Sequence, residues 1–108
     1  MPVVVKGYGS PALVLLAYDW AAAGQRSDFR GFEIERTPGF DGEECSRLTY
    51  PNGNDGEAPI RTFYCWDASI DASDRGACFQ YRVVPVIGCE GGFELLDQEA
   101  GQIDVLVP

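Results

Sequence analysis

The chain has 108 residues, of which 45% are hydrophobic and 12% aromatic, and 8 basic against 17 acidic residues give it a net charge of -9. This length suits one domain with a real hydrophobic core, so residues 1–108 are predicted to form a single domain. The negative charge argues against nucleic acid and anionic membrane surfaces as partners, because both are themselves negatively charged.

No segment of the sequence indicates export or membrane insertion. The longest apolar stretches, Ala12 to Ala17 and Val83 to Ile87, are strand-sized and fall short of the roughly 18 residues that a membrane span needs. The start, Met1 to Lys6, lacks the basic and apolar regions of a secretory signal peptide. These features favour a cytoplasmic protein, and they also fit a module of a longer one.

The predicted elements are short strands separated by clusters of glycine, proline, aspartate and asparagine. In chain order they are Val3 to Tyr8, Ala12 to Trp20, Phe29 to Thr37, Arg47 to Tyr50, Ile60 to Trp66, Cys78 to Ile87, Phe93 to Leu96 and Ile103 to Val107. Ala21 to Gly24 is too short for a stable helix and is read as a loop. About seven short strands at this spacing predict an all-β, immunoglobulin-like sandwich of antiparallel strands.

Two of these strands show which residues should share a face. Phe32 and Ile34 alternate with Glu33 and Glu35, so the first pair should face the core, while Arg36 is the odd charged member and is expected at the strand end. The Cys78 to Ile87 strand is predicted to place one set of side chains on one face and a second set, which becomes apolar toward its end, on the other. The first set is Phe79, Tyr81, Val83 and Pro85, and the second is Gln80, Arg82, Val84 and Val86.

The chain contains no histidine, which removes the usual base of serine and cysteine hydrolases and the commonest metal ligand. Asp41 to Glu44 and Asn52 to Glu57 carry oxygen ligands of the kind that calcium takes, but neither matches an EF-hand spacing. We therefore favour solvated acidic loops there. No metal and no cofactor is predicted.

Three aspartates after the fifth strand are the remaining candidates for catalysis. Asp67, with Asp71 and Asp74, has the composition of a glycosidase acid pair, yet such enzymes need carboxylates on both sides of a cleft, which a small sandwich rarely offers. Turn aspartates that bond their own backbone are the favoured interpretation. The domain is thus predicted not to be an enzyme, and the arginines Arg47, Arg61 and Arg82 are expected to pair with acidic side chains across strands.

Four cysteines, Cys45, Cys65, Cys78 and Cys89, match no zinc-ligand spacing. In a protein without an export signal, reduced thiols that pack as small apolar side chains are favoured. One disulfide within the second half of the chain is the alternative that remains open.

Aromatic residues supply the candidate interaction surface, formed by Tyr64, Trp66 and Tyr50, with Phe40 as a further candidate member. Alternation places Tyr64 and Trp66 on one face of their strand and Phe63 and Cys65 on the other. One of these pairs must face away from the core unless another layer covers it, and exposed aromatics on a sheet mark contact surfaces. A partner or domain interface, a carbohydrate platform and complete burial all remain open.

Three segments of the sequence resemble the fibronectin type III family. They are Tyr18-Asp19-Trp20, Gly31 to Arg36 and Phe79 to Val86. In that family the tryptophan is the pivot of the core and the other two strands pack over and opposite it. The resemblance implies a noncatalytic module, but Phe79 stands where the family has a corner tyrosine, so that hydroxyl hydrogen bond should be missing.

A narrower set of segments looks like the small N-terminal domain of bacterial phospholipase D-like proteins. It consists of Arg47 to Tyr50, Glu57 to Ile60, Phe63 and Trp66-Asp67. The catalytic halves of that family use a His-x-Lys motif, and a chain without histidine can supply only the accessory role.

The expected function is therefore a spacer, docking or protein-interaction module whose partner is a neighbouring domain of the same chain or another protein. A carbohydrate- or surface-binding module is the alternative. The first and last strands, at Val3 to Tyr8 and Ile103 to Val107, are expected to be open sheet edges, through which two copies could form a weak homodimer.

Overall fold

The computed structural model describes residues 2–11, 13–39, 59–108 and the backbone of 46–47. Eight strands are defined within these residues. They are β1 (Val4–Gly9), β2 (Val14–Asp19), β3 (Phe29–Thr37), β4 (Ser46–Arg47), β5 (Tyr64–Asp67), β6 (Cys78–Cys89), β7 (Gly92–Leu95) and β8 (Gly101–Leu106).

The strands form two sheets. One has the order β1-β2-β5, and the other has the order β4-β3-β6-β7, with β8 also paired to β6. The pairings within each sheet are antiparallel throughout the described residues. The predicted all-β sandwich is confirmed. β6 organises the second sheet because its first half pairs with β8 and its second half with β7.

The core lies between the two sheets, as the alternation of apolar residues predicts. Leu16 on β2, Phe32 and Ile34 on β3, and Tyr81 and Val83 on β6 are fully buried. Both predicted faces are confirmed for β6, since its second face is buried at Val84 and Val86 near the end of the strand. Trp20, which directly follows β2, is buried in the same core.

The segment between Ile60 and Trp66 was predicted as one strand, and this prediction is wrong for its first half. Ile60 belongs with β3, because its amide donates to the Phe32 carbonyl at 2.8 Å and its carbonyl accepts from the Phe32 amide at 2.7 Å. The chain then crosses to the other sheet, where β5 begins at Tyr64. For the predicted fourth strand, β4 covers Ser46–Arg47, and Leu48 to Tyr50 lie outside the described residues.

The first and last strands, predicted as open edges, lie alongside each other in a parallel orientation. Gly101 of β8 lies against the carbonyl of Val3, and Gly9 of β1 lies against the carbonyl of Leu106. A Cβ atom at either glycine would overlap that carbonyl oxygen, so only glycine permits this approach. Each strand thus covers the flank of the other. The weak homodimer through these edges stays a prediction, for sedimentation to test.

Helical structure in the described parts of the chain is limited to short 3-10 turns at Ala23–Gln25, Ala72–Asp74 and Asp97–Glu99. The first of these overlaps the end of Ala21 to Gly24, the segment predicted as a loop. Within the same described ranges, no helix has the length and apolar character that crossing a membrane requires.

Candidate interaction surface

β5 alternates strictly between the inside and the outside of the sandwich. Cys65 and Asp67 are buried between the sheets, whereas Tyr64 and Trp66 point away from the core. The two outward rings lie 6.2 Å apart between centroids with their planes only 7° from parallel. Complete burial, one of the alternatives for these residues, is therefore excluded for Tyr64, whose exposed fraction is 52%.

Strand register extends this pair into a continuous surface. Leu15 of β2 lies directly between Trp66 of β5 and Tyr8 of β1, and all three point outward because cross-strand partners share a face. Tyr8 is 59% exposed and Leu15 is 39% exposed. We call Tyr8, Leu15, Tyr64 and Trp66 the aromatic face.

Few charged groups interrupt the aromatic face. On the same side of the β1-β2-β5 sheet, the neighbouring row places Lys6 of β1 opposite Ala17 of β2, which lies opposite Tyr64. Asp19 lies at the end of β2, opposite Val4, and its carboxylate accepts from the Trp20 amide at 2.9 Å. One lysine and one aspartate balance each other here, in a chain whose net charge is -9.

Of the three predicted site residues, the structure brings Tyr64 and Trp66 together, while Tyr50 lies outside the described residues, as does Phe40. Sequence reasoning missed Tyr8 and Leu15. Alternation within their strands places each of them on an outward face, but it does not say which strands are neighbours. Only the β1-β2-β5 register puts them beside Trp66.

The inner face of β5 carries a buried ion pair that joins the two sheets. Asp67 accepts at 3.0 Å from the guanidinium of Arg36 on β3, and its Oδ2 also accepts from the Tyr81 hydroxyl of β6 at 2.7 Å. Ser69 completes the group, since its amide and hydroxyl donate to Asp67 Oδ1 and its hydroxyl accepts from Arg36 at 2.7 Å. We call Arg36, Asp67, Ser69 and Tyr81 the buried network.

The buried network accounts for the position of Arg36, the charged residue among the inward-facing side chains of β3. Arg36 lies near the end of β3, as predicted, but it is only 5% exposed, and its guanidinium sits 4.7 Å from the centre of the Phe79 ring. Tyr81, two residues after Phe79, donates a buried hydroxyl hydrogen bond to Asp67.

The three aspartates that were weighed as a glycosidase acid pair accept hydrogen bonds within the fold. Burial acts to raise the pKa of Asp67, but the hydrogen bonds from Ser69 and Tyr81 and the charge of Arg36 outweigh it and hold that pKa below its ordinary value. Asp71 and Asp74 instead cap the Ala72–Asp74 turn, where Asp71 accepts from the Ser73 amide and Asp74 from the Asp71 amide. The predicted turn role of Asp67 and Asp71 is thus observed, because each accepts a backbone amide two residues ahead.

The cysteines were predicted to pack as small apolar side chains, and this holds for the buried Cys65 but is wrong for Cys78 and Cys89, which are exposed. Arg82 pairs across strands with Glu35 at 2.6 Å, as expected, and also with Asp97 at 2.9 Å. Cys65, Cys78 and Cys89 are free thiols; burial raises the pKa of Cys65 to about 12, so this thiol stays protonated. Cys45 lies outside the described residues, as do both acidic loops that were weighed for calcium. Among the described residues, no group of three or more potential ligands could hold a metal ion.

Comparison with known proteins gives no relative for this chain. Protein-family models, curated proteins and solved structures were all searched, and none of them matches.

Proposed function

We propose that this protein is a noncatalytic docking module that binds a protein partner through the aromatic face. One observation carries the proposal: three neighbouring strands align Tyr8, Leu15 and Trp66 in one outward row, with Tyr64 stacked beside it. Large exposed apolar patches are rare on soluble proteins and mark contact surfaces. Tyrosine and tryptophan are also the residues that most often dominate binding energy in protein interfaces.

The charge distribution indicates what kind of protein would fit. The centres of protein interfaces are depleted of charged residues, and the described residues of the three strands place only Lys6 and Asp19 beside the aromatic face. The chain as a whole carries a net charge of -9, which attracts a partner with a basic rim and repels acidic ones. The occupant we propose is therefore a folded protein surface with an apolar centre and basic surroundings, on a neighbouring domain of the same chain or on another protein.

A fibronectin type III-like identity is part of this proposal. The three segments that resemble the family contribute to β2, β3 and β6 and to the buried Trp20. The first, second and fifth strands share one sheet and the third, sixth and seventh share the other, a grouping typical of immunoglobulin-like sandwiches. An accessory place in a phospholipase D-like protein fits the absence of histidine, because the phosphodiester nucleophile would have to lie elsewhere.

Site-specific photocrosslinking tests the docking proposal. A photoreactive amino acid at position 64 in the full-length protein, expressed in its native cells, should capture one dominant partner, whereas the same group at Gln80 on β6 should not. Gln80 is a matched control because it is exposed and lies on the other sheet. Equal capture from both positions, or none from position 64, would contradict the proposal.

Binding of the captured partner then measures the contribution of the face. Trp66→Ala should weaken binding by about thirtyfold, because truncating a central interface aromatic costs about 2 kcal/mol. Gln80→Ala should leave the affinity within about twofold. An unchanged affinity for Trp66→Ala would place the interface elsewhere, and hydrolysis of bis(p-nitrophenyl) phosphate by the purified domain would overturn its noncatalytic role.

The near-parallel rings favour a carbohydrate platform as the second candidate, since sugar rings stack on flat aromatic pairs. Glycan array binding that disappears in Trp66→Ala, with the fold intact by circular dichroism, would support this function. Binding that survives the substitution would exclude the aromatic face as its platform.

A further inference from the structure

A β-bulge near the start of β3 shapes a groove that is separate from the aromatic face. Phe29 pairs with Ile87 and Gly31 with Val86, so Arg30 is the extra residue without a partner on β6. Gly31 has φ 136°, a conformation open mainly to glycine, and it lies against the Ile60 carbonyl. Bulges of this type redirect side chains, and here the redirected side chain is an arginine.

The guanidinium of Arg30 is held by backbone carbonyls, and it makes no direct ion pair with a carboxylate of the described residues. Its Nη1 donates to the backbone carbonyls of Ser27 at 3.0 Å and Phe29 at 3.1 Å, and its other atoms lie against Gly88 of β6. The nearby carboxylate of Asp28 accepts from Nε and Nη2 of Arg26, at 2.9 and 2.8 Å. The direct ion pair of Asp28 is therefore with Arg26, while Arg30 is held by its backbone acceptors.

A second arginine, Arg61, lines the same groove as Arg30. Because Ile60 is hydrogen-bonded to Phe32, the next residue, Arg61, is brought beside the bulge. Arg61 is exposed and makes no ion pair within the described residues. Phe29, Arg30, Gly31 and Arg61 line a groove of about 360 Å³, which is large enough for a small ligand.

We propose that this groove binds a carboxylate carried on an aromatic or apolar group, such as the C-terminal residue of a peptide. Guanidinium groups offer paired N–H donors that match the two oxygens of a carboxylate. Phe29 supplies apolar surface beside them. A phosphate dianion also fits two arginines, which attract it more strongly than a monoanion, while the net charge of -9 also repels it more strongly. The comparison with phenyl phosphate below therefore decides between the two anions.

Titration with phenylacetate, followed by amide NMR shifts of Gly31 and Gly88, tests the proposal directly. Saturable shifts at both glycines are expected at ligand concentrations on the order of millimolar, as suits so small a ligand. Phenylacetamide, which has the same shape without the charge, should bind at least about tenfold more weakly. Phenyl phosphate separates the two anions, and tighter binding of phenyl phosphate than of phenylacetate would overturn the carboxylate assignment.

Substitutions of Arg30 and Arg61 test whether phenylacetate binds in this groove. Arg61→Gln should weaken phenylacetate binding by about fivefold or more, and Arg30→Gln should do the same. Arg75→Gln is the matched control, because it removes one positive charge from an exposed arginine before the start of β6, whereas Gly88 lies at the other end of that strand. Equal weakening in all three variants would show a general charge effect and overturn the groove, as would shifts that do not saturate or that phenylacetamide reproduces.

Discussion

The two faces of β5 carry opposite kinds of chemistry. On the inner face, Asp67 is fixed by two side chains of the other sheet and by Ser69. On the outer face, Tyr64 and Trp66 stack on each other and point away from the core. Four consecutive residues thus include a buried, hydrogen-bonded carboxylate and a stacked pair of outward aromatic rings.

The inner face of β5 therefore contributes to the stability of the fold, whereas its outer face is available for binding. Removing one partner from a buried ion pair leaves an uncompensated charge, whereas truncating an exposed side chain removes little buried area. We therefore expect inner-face substitutions to change the free energy of unfolding and outer-face substitutions to change binding. The predictions below run from the largest expected effect to the smallest.

Asp67→Ala should lower the free energy of unfolding by about 3–5 kcal/mol, because it strands the buried guanidinium of Arg36. Urea denaturation followed by circular dichroism measures the change. Asp97→Ala is the control, since Asp97 also pairs with an arginine but is 66% exposed, and it should cost less than about 1 kcal/mol. Similar losses for both variants would mean that burial of the Asp67 pair adds nothing.

Tyr81→Phe should lower the free energy of unfolding by about 1.5–3 kcal/mol, the usual cost of losing a hydrogen bond to a charged group. The ring stays in the core, so packing is preserved. Combined with Asp67→Ala, the substitution should cost clearly less than the sum of the two single effects, because both remove the same bond. Full additivity in a double-mutant cycle would contradict the network.

Low pH should remove the contribution that Asp67 makes to the free energy of unfolding. Its pKa is lowered in the folded state, so its contribution is present above the unfolded pKa of about 4 and is lost as the pH falls through the folded value. The difference in unfolding free energy between wild type and Asp67→Asn should therefore be constant from pH 7 to about 5 and shrink below about pH 4. Comparing these two proteins cancels Asp28 and Asp71, whose pKa values are also lowered. If the difference in unfolding free energy instead grew as the pH fell, the pKa of Asp67 would be raised in the folded protein, which would contradict this prediction.

Tyr64→Ser should change the free energy of unfolding least, by under about 1 kcal/mol, because more than half of this side chain is already exposed. The stacking contact with Trp66 accounts for most of the expected loss. Thermal unfolding measures it. A loss above about 2 kcal/mol would show that the outer face is packed like the inner one and would remove the contrast on which the docking proposal depends.

Short-range patterns predicted the strands well, because alternation reports which side chains are buried within one strand. They failed where the answer depends on a distant partner. Ile60 reads as the start of β5 in the sequence, but its hydrogen bonds go to Phe32 of the other sheet. Arg36 reads as a polar strand end, and its burial depends on Asp67, which lies 31 residues away.

The candidate sites were likewise predictable only where their residues lie on one strand. Tyr64 and Trp66 were predicted as a pair because they are two residues apart on one strand, whereas Tyr8 and Leu15 joined them only through strand register. The groove beside the bulge could not be predicted, because a bulge arises from a mismatch in length between two paired strands. Within the sequence, Gly31 before Phe32 is the single local sign of it.

The parallel packing of β1 against β8 has a mechanical consequence. Because Val3 lies beside Gly101 and Gly9 beside Leu106, the two terminal strands run in the same direction, so the start of β1 and the end of β8 lie at opposite ends of this pair of strands. Tension applied through the two ends would slide these strands lengthwise past each other. All of their contacts would then bear the load together, which resists extension more than opening the contacts one at a time.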